Sequence, residues 1–138
     1  MQNKFAWEKL GLAIICIWFI VGGIFHFLKT EFFVLIVPPY IPYPYAAVYI
    51  SGGFEIIGAI SILMPRVRPY AGLGLILLTL AVTPANIYMW QNPFLFPNIP
   101  PLFLSLRLVL QVLLVIGIAY ATHVMAIFTK PVPLSSTH

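Results

Sequence analysis

Residues 45–64 read YAAVYISGGFEIIGAISILM, and the reading of this stretch decides the fold. It is apolar over about 20 residues, the length that crosses a bilayer core at a rise of about 1.5 Å per residue. One carboxylate interrupts it. Glu55 stands midway, about 15 Å deep if the stretch spans, where an unaccompanied charge is expensive. The helix is therefore expected to turn Glu55 inward, toward a partner. Ser51, Gly52, Glu55, Gly58, Ala59 and Ile62 recur at three- and four-residue spacing. Such a small-residue stripe is expected to seat a second helix closely and to carry the carboxylate with it.

Composition points the same way. The chain has 138 residues, 62% hydrophobic and only 7% charged, with a mean hydropathy of +1.03. A water-soluble domain of this size has no way to hide that much apolar surface, so an all-α, polytopic membrane protein is expected, forming one domain over residues 1–138. The net charge of +4 comes from seven scattered Lys and Arg residues, too sparse for a nucleic-acid surface. Cys16 is the one cysteine and lies in an apolar run, which excludes an internal disulfide, a CxxC pair and a thiolate metal cluster; no metal site is expected.

Four spans are predicted, at about 10–28, 45–64, 70–90 and 102–127, making a four-transmembrane-helix bundle with a loose tail over 129–138. The last is longer than a straight crossing needs and is expected to tilt or protrude. Two connections are rich in proline and aromatic residues: EFFVLIVPPYIPYPYA at 31–46 and QNPFLFPNIPPLF at 91–103. Irregular backbone cannot face lipid tails unsatisfied, so both are expected to cap the outer mouth of the bundle, the first with a short helix from Glu31 to Val37. Pro84 removes a helical donor from the Leu80 carbonyl and predicts a kink, flanked by Thr79, Thr83 and Asn86. Lys4, Lys9, Arg66, Arg68 and Lys130 fall on one side of this topology, which puts both termini in the cytoplasm and the protein in the plasma or inner membrane.

The topology gathers the polar residues. His26, Glu55, Asn86, Arg107 and Gln111 all fall in the outer half, and Thr83 borders them. His26 shares a helical face with Gly22, and Gln111 shares one with Arg107. Glu55 is the one acidic side chain within the apolar cores, so Arg107 is expected to pair with it, reaching along its helix with Gln111 or a water between.

These residues carry a resemblance. GGIFHF at 22–27, the prolines of VPPYIPYP, SGGFEIIGAISILMPRVR at 51–68, TPAN at 83–86 and SLRLVLQVLLV at 105–115 together resemble the DoxX-like family of small four-helix membrane proteins, over nearly the whole chain. The resemblance implies a four-helix fold, with His26, Glu55, Asn86, Arg107 and Gln111 at the family's polar positions. For some relatives it implies a small subunit of quinone-linked redox systems; other relatives are similar to membrane chaperones. Two functions follow as expectations. In the first, a quinone or other lipophilic ring enters an outer-leaflet cavity and is held by His26, Asn86 and Arg107, in an oxidoreductase subunit that works with a redox partner. In the second, the polar cluster only holds the helices together and the chain assembles with a larger membrane protein. No flavin, haem or iron–sulfur motif is present, so no covalently bound cofactor is expected and no catalytic residue is assigned.

Overall fold

The computed structural model describes residues 1–129 and is all helical there, so the predicted loose tail lies almost wholly outside the described residues. Helix α1 runs Gln2–Leu28, starting well before the predicted Leu10, because Lys4, Glu8 and Lys9 end the apolar run without ending the helix. A short α2, Thr30–Ile36, covers the stretch where a helix from Glu31 to Val37 is predicted. Helix α3, Pro44–Ser61, carries Glu55.

The third apolar segment is two helices, α4 at Arg68–Ala81 and α5 at Thr83–Gln91, divided at Val82. Pro84 is the cause, since it has no N–H to offer the carbonyl four residues back. Thr83 Oγ1 donates to the Thr79 carbonyl at 2.9 Å and repairs part of the break. A single 3₁₀ turn at Pro93–Leu95 interrupts the second proline-rich connection.

Helix α6 spans Pro101–Ala121 and corrects the predicted segment of 102–127. The long last span does not tilt or protrude as one helix; it stops. Thr122 folds its hydroxyl back onto the Ile118 carbonyl at 2.6 Å, and His123 enters the left-handed region at φ 53°, which turns the chain into the short α7, Ala126–Thr129.

Three stretches are long and apolar enough to cross a membrane: Gln2–Leu28, Arg68–Gln91 and Pro101–Ala121. Helix α3 is not among them, because Tyr45, Tyr49, Ser51, Glu55 and Ser61 dilute its apolar content. The packing is cyclic: α1 lies against α3 and α6, and α4 lies against the same two. The core at the end near the N-terminus joins Leu12, Ile15 and Phe19 of α1 to Ala59, Ile62, Leu75, Ile118 and Ala121. Outward faces stay apolar, with Ile57, Leu77 and Leu113 all more than half exposed, as bilayer contact requires.

A second core closes the opposite end. Ile36, Met89, Phe96 and Leu104 are buried together, joined by Phe32 and Phe33 of α2 and by Leu95 and Ile99. Phe32 meets Phe96 edge to face at 5.9 Å, so the two proline-rich connections pack on each other across this end.

The α1–α3 contact has no slack. A Cβ on Gly23 would lie 2.8 Å from the Gly52 carbonyl oxygen, and one on Gly52 would lie 2.7 Å from His26 Cβ. Gly53, next along α3, faces open space. Gly52→Ala is therefore expected to cost about 1–3 kcal/mol by overpacking, and Gly53→Ala to be neutral or slightly stabilising. Thermal unfolding in detergent compares the two; equal midpoints would show that the close approach does not hold the helices.

Candidate functional site

The two glycine contacts fix the first wall of a cavity. Because α1 and α3 touch at Gly23 and Gly52, His26 and Glu55 face each other, with His26 Nδ1 3.5 Å from Glu55 Oε2. Both side chains are nearly buried, at 11% and 12% exposure. Gly22 makes room for the carboxylate: a Cβ there would stand 3.1 Å from Oε2. The His26 ring is held twice. Its Nδ1 is 2.8 Å from the Gly22 carbonyl oxygen, and its face stacks on Phe33 with ring centroids 4.0 Å apart.

Glu55 itself makes no hydrogen bond among the described residues. Its Oε2 is fully buried and unpartnered, sealed against α1, while Oε1 stays accessible where Glu55 lines the cavity. A sealed carboxylate oxygen without a donor is costly. It lies against α1 because the helices approach closely at Gly22, Gly23 and Gly52.

The second wall is a hydrogen-bonded relay between α5 and α6. Arg107 Nη2 donates to Asn86 Oδ1 at 2.8 Å, Asn86 Nδ2 donates to Gln111 Oε1, and Gln111 Nε2 donates to Thr83 Oγ1. Thr83 passes the chain to the Thr79 carbonyl, and the buried Thr79 hydroxyl donates to Leu75 at 2.7 Å. Pro84 places this relay. The break at Val82 leaves carbonyls open for Thr83 and starts α5 in the direction that presents Asn86 to α6.

Between the walls lies a cavity of about 930 Å³, at the upper end of the range for ligand pockets. His26, Glu55, Asn86, Arg107 and Gln111 all line it; Thr83 sits one hydrogen bond behind, on Gln111. The rest of the lining is mostly apolar. Ile14, Ile17, Trp18 and Val21 of α1, Ile50 and Phe54 of α3 and Leu110 of α6 line it while remaining about half exposed, which marks the cavity as open sideways. Phe33, Ile36 and Val37 of α2, with Ile41, close the capped end.

The structure corrects one expected contact. Glu55 and Arg107 form no ion pair: Arg107 bonds to Asn86, and the basic group near Glu55 is His26. The reason is that α3 is pinned to α1 by its glycines, which hold the carboxylate on the wall away from α6. Asn86 also differs from its expected role. Its oxygen and nitrogen are engaged by Arg107 and Gln111, so it orients the guanidinium instead of meeting a ligand first. Sequence reasoning missed Phe33, whose stacking partner lies across the Lys29 turn, although the aromatic pair Phe32 and Phe33 marked the stretch. It also missed Thr122, which seats against Gly72 so closely that no side chain fits there.

Outside this site, Glu8 Oε2 lies 3.6 Å from His123 Nε2 at the opposite end of α1, and Tyr45 donates its hydroxyl to both oxygens of Glu31 at 3.0 and 2.8 Å. The Tyr45 contact ties α2 to α3 beside the cap.

A family model described as Domain of unknown function (DUF8561) matches residues 15–125. No curated protein and no solved structure matches the chain.

The relay should behave as one unit. Asn86→Leu strips Arg107 of its acceptor and Gln111 of its donor and is expected to cost about 1–2 kcal/mol. Gln111→Leu should cost about as much, and the double mutant clearly less than the sum. Unfolding free energies in detergent across this cycle check the coupling; additivity within about 0.5 kcal/mol would mean the four side chains act separately.

Proposed function

Since the chain belongs to the DUF8561 family, whose description assigns no activity, we propose from the site that it is a membrane protein of four spans binding a lipophilic ring, of the quinone head-group class, in the cavity between α1, α3, α5 and α6. One observation carries the reading: a large apolar cavity, open sideways, has unspent polar atoms on both walls. A structural cluster would have satisfied its carboxylate internally. Here Arg107 spends one of its donors on Asn86 and keeps the others, and Glu55 spends none of its acceptor capacity on a hydrogen bond. A ring with oxygens at opposite edges suits such walls, and exposed apolar lining suits entry from lipid. The resemblance to DoxX-like proteins supports the same reading and adds a redox partner, since nothing in this chain carries electrons by itself.

A second reading has its own observation. Asn86, Gln111 and Thr83 are hydrogen-bonded to one another, as side chains that only fasten α5 to α6 would be. On that reading the chain is a structural or chaperone-like subunit of a larger membrane assembly. Native mass spectrometry and solvent extraction of gently purified protein separate the two. Co-purified quinone that is lost in Arg107→Met is the expected outcome; a stoichiometric protein partner with no lipophilic ring, retained in Arg107→Met, would overturn the ring-binding reading.

The proposed topology makes α3 the fourth span, despite its polar content, because it lies between α1 and α4 with Glu55 turned inward. Lys4, Lys9, Arg66 and Arg68 mark the cytoplasmic end in a plasma or inner membrane, and the Phe32–Phe96 cap faces outward. In a Cys16→Ala background, Arg66→Cys should label from the cytoplasm and Asn98→Cys from outside. Labelling of position 98 only from the cytoplasm reverses the orientation.

A further inference from the structure

The unspent polar atoms of the cavity are of two kinds, and they stand on opposite walls. On the α1 side, His26 Nδ1 points at the Gly22 carbonyl oxygen at 2.8 Å. A carbonyl only accepts, so Nδ1 carries the hydrogen, and in the neutral ring the lone pair is then at Nε2. Exchanging the two nitrogens would keep the stack on Phe33 but break the bond to Gly22. Nε2 has no partner among the described residues and is not sealed, and His26 lines the cavity. It is an acceptor waiting for a donor. On the α6 side the reverse holds: Arg107 has only donors, of which one is used by Asn86.

A head group that satisfies both walls must donate toward α1 and accept from α6. A fully oxidised quinone offers acceptors alone and would set a carbonyl lone pair against that of Nε2. We propose that the cavity selects the reduced, hydroxyl-bearing ring: one hydroxyl of a hydroquinone donates to His26 Nε2, and the oxygen across the ring accepts from Arg107. The proposal rests on the ring-binding reading above and adds which form of the ring is held. Glu55 flanks the first hydroxyl with its accessible oxygen, and an apolar tail leaves through the slot beside Trp18 and Leu110.

Equilibrium dialysis of the full chain in detergent, against three radiolabelled probes with the same decyl tail, tests this. The probes are a benzoquinone, its hydroquinone kept reduced without oxygen, and the hydroquinone dimethyl ether, which has the same oxygens and no donor. The hydroquinone should bind about tenfold more tightly than either of the others, the worth of one buried hydrogen bond. In His26→Phe, which keeps an aromatic face for Phe33, the three affinities should converge. Equal affinities in the unmodified protein, or tighter binding of the quinone, would overturn the selection while leaving the ring-binding reading intact. Failure of all three probes to bind would overturn both. The three-probe comparison on the unmodified protein decides the matter even if the variant does not fold.

Discussion

The structure depends on how closely α1 and α3 approach. Gly23 and Gly52 bring the two backbones to a distance where neither glycine tolerates a side chain, and that contact fixes everything on the first wall of the cavity. It sets His26 over Glu55, seals one carboxylate oxygen and leaves the other open. In lipid there is no hydrophobic force to press helices together, so dispersion between small residues at short range is the interaction available for holding a costly carboxylate in place. The same contact keeps Glu55 away from α6. The placement of the first wall's polar groups is thus decided by glycines that carry no chemistry of their own.

Much of this was legible in the sequence. Glu55 stood out because a lone carboxylate in an apolar run has no solvent to fall back on, and the glycine spacing beside it announced a close helix neighbour. Pro84 announced the break between α4 and α5 through the donor it lacks. What could not be read was partnership. Arg107 and Glu55 were the obvious opposite charges, yet charge complementarity says nothing about which helices lie side by side, and Asn86 was nearer to Arg107 than any acid. The end of α6 was hidden for a different reason: the run from Gly117 to Ile127 is apolar on average, so Thr122 and His123 pass as single polar residues, and the stop comes from the Thr122 hydroxyl and the left-handed backbone of His123.

The two walls differ in how completely they are satisfied. The α5–α6 wall closes its hydrogen bonds from Arg107 down to Leu75, whereas the α1–α3 wall keeps a carboxylate with no hydrogen bond. The walls therefore differ in kind: the relay fastens the kinked segment to its neighbour and leaves only donors of Arg107 over, whereas the opposite wall leaves acceptors over.

The relay also has a direction. Each amide donates onward and accepts from behind, so Asn86 and Gln111 are each used in one orientation only. Asparagine and aspartate are close in shape, but an aspartate at position 86 would set an acceptor against Gln111 Oε1, and is accommodated only if the Gln111 amide turns over and gives up its bond to Thr83 Oγ1. The relay in this chain is therefore read one way, from the Arg107 guanidinium to the Leu75 carbonyl, and turning the Asn86 amide over would break it on both sides.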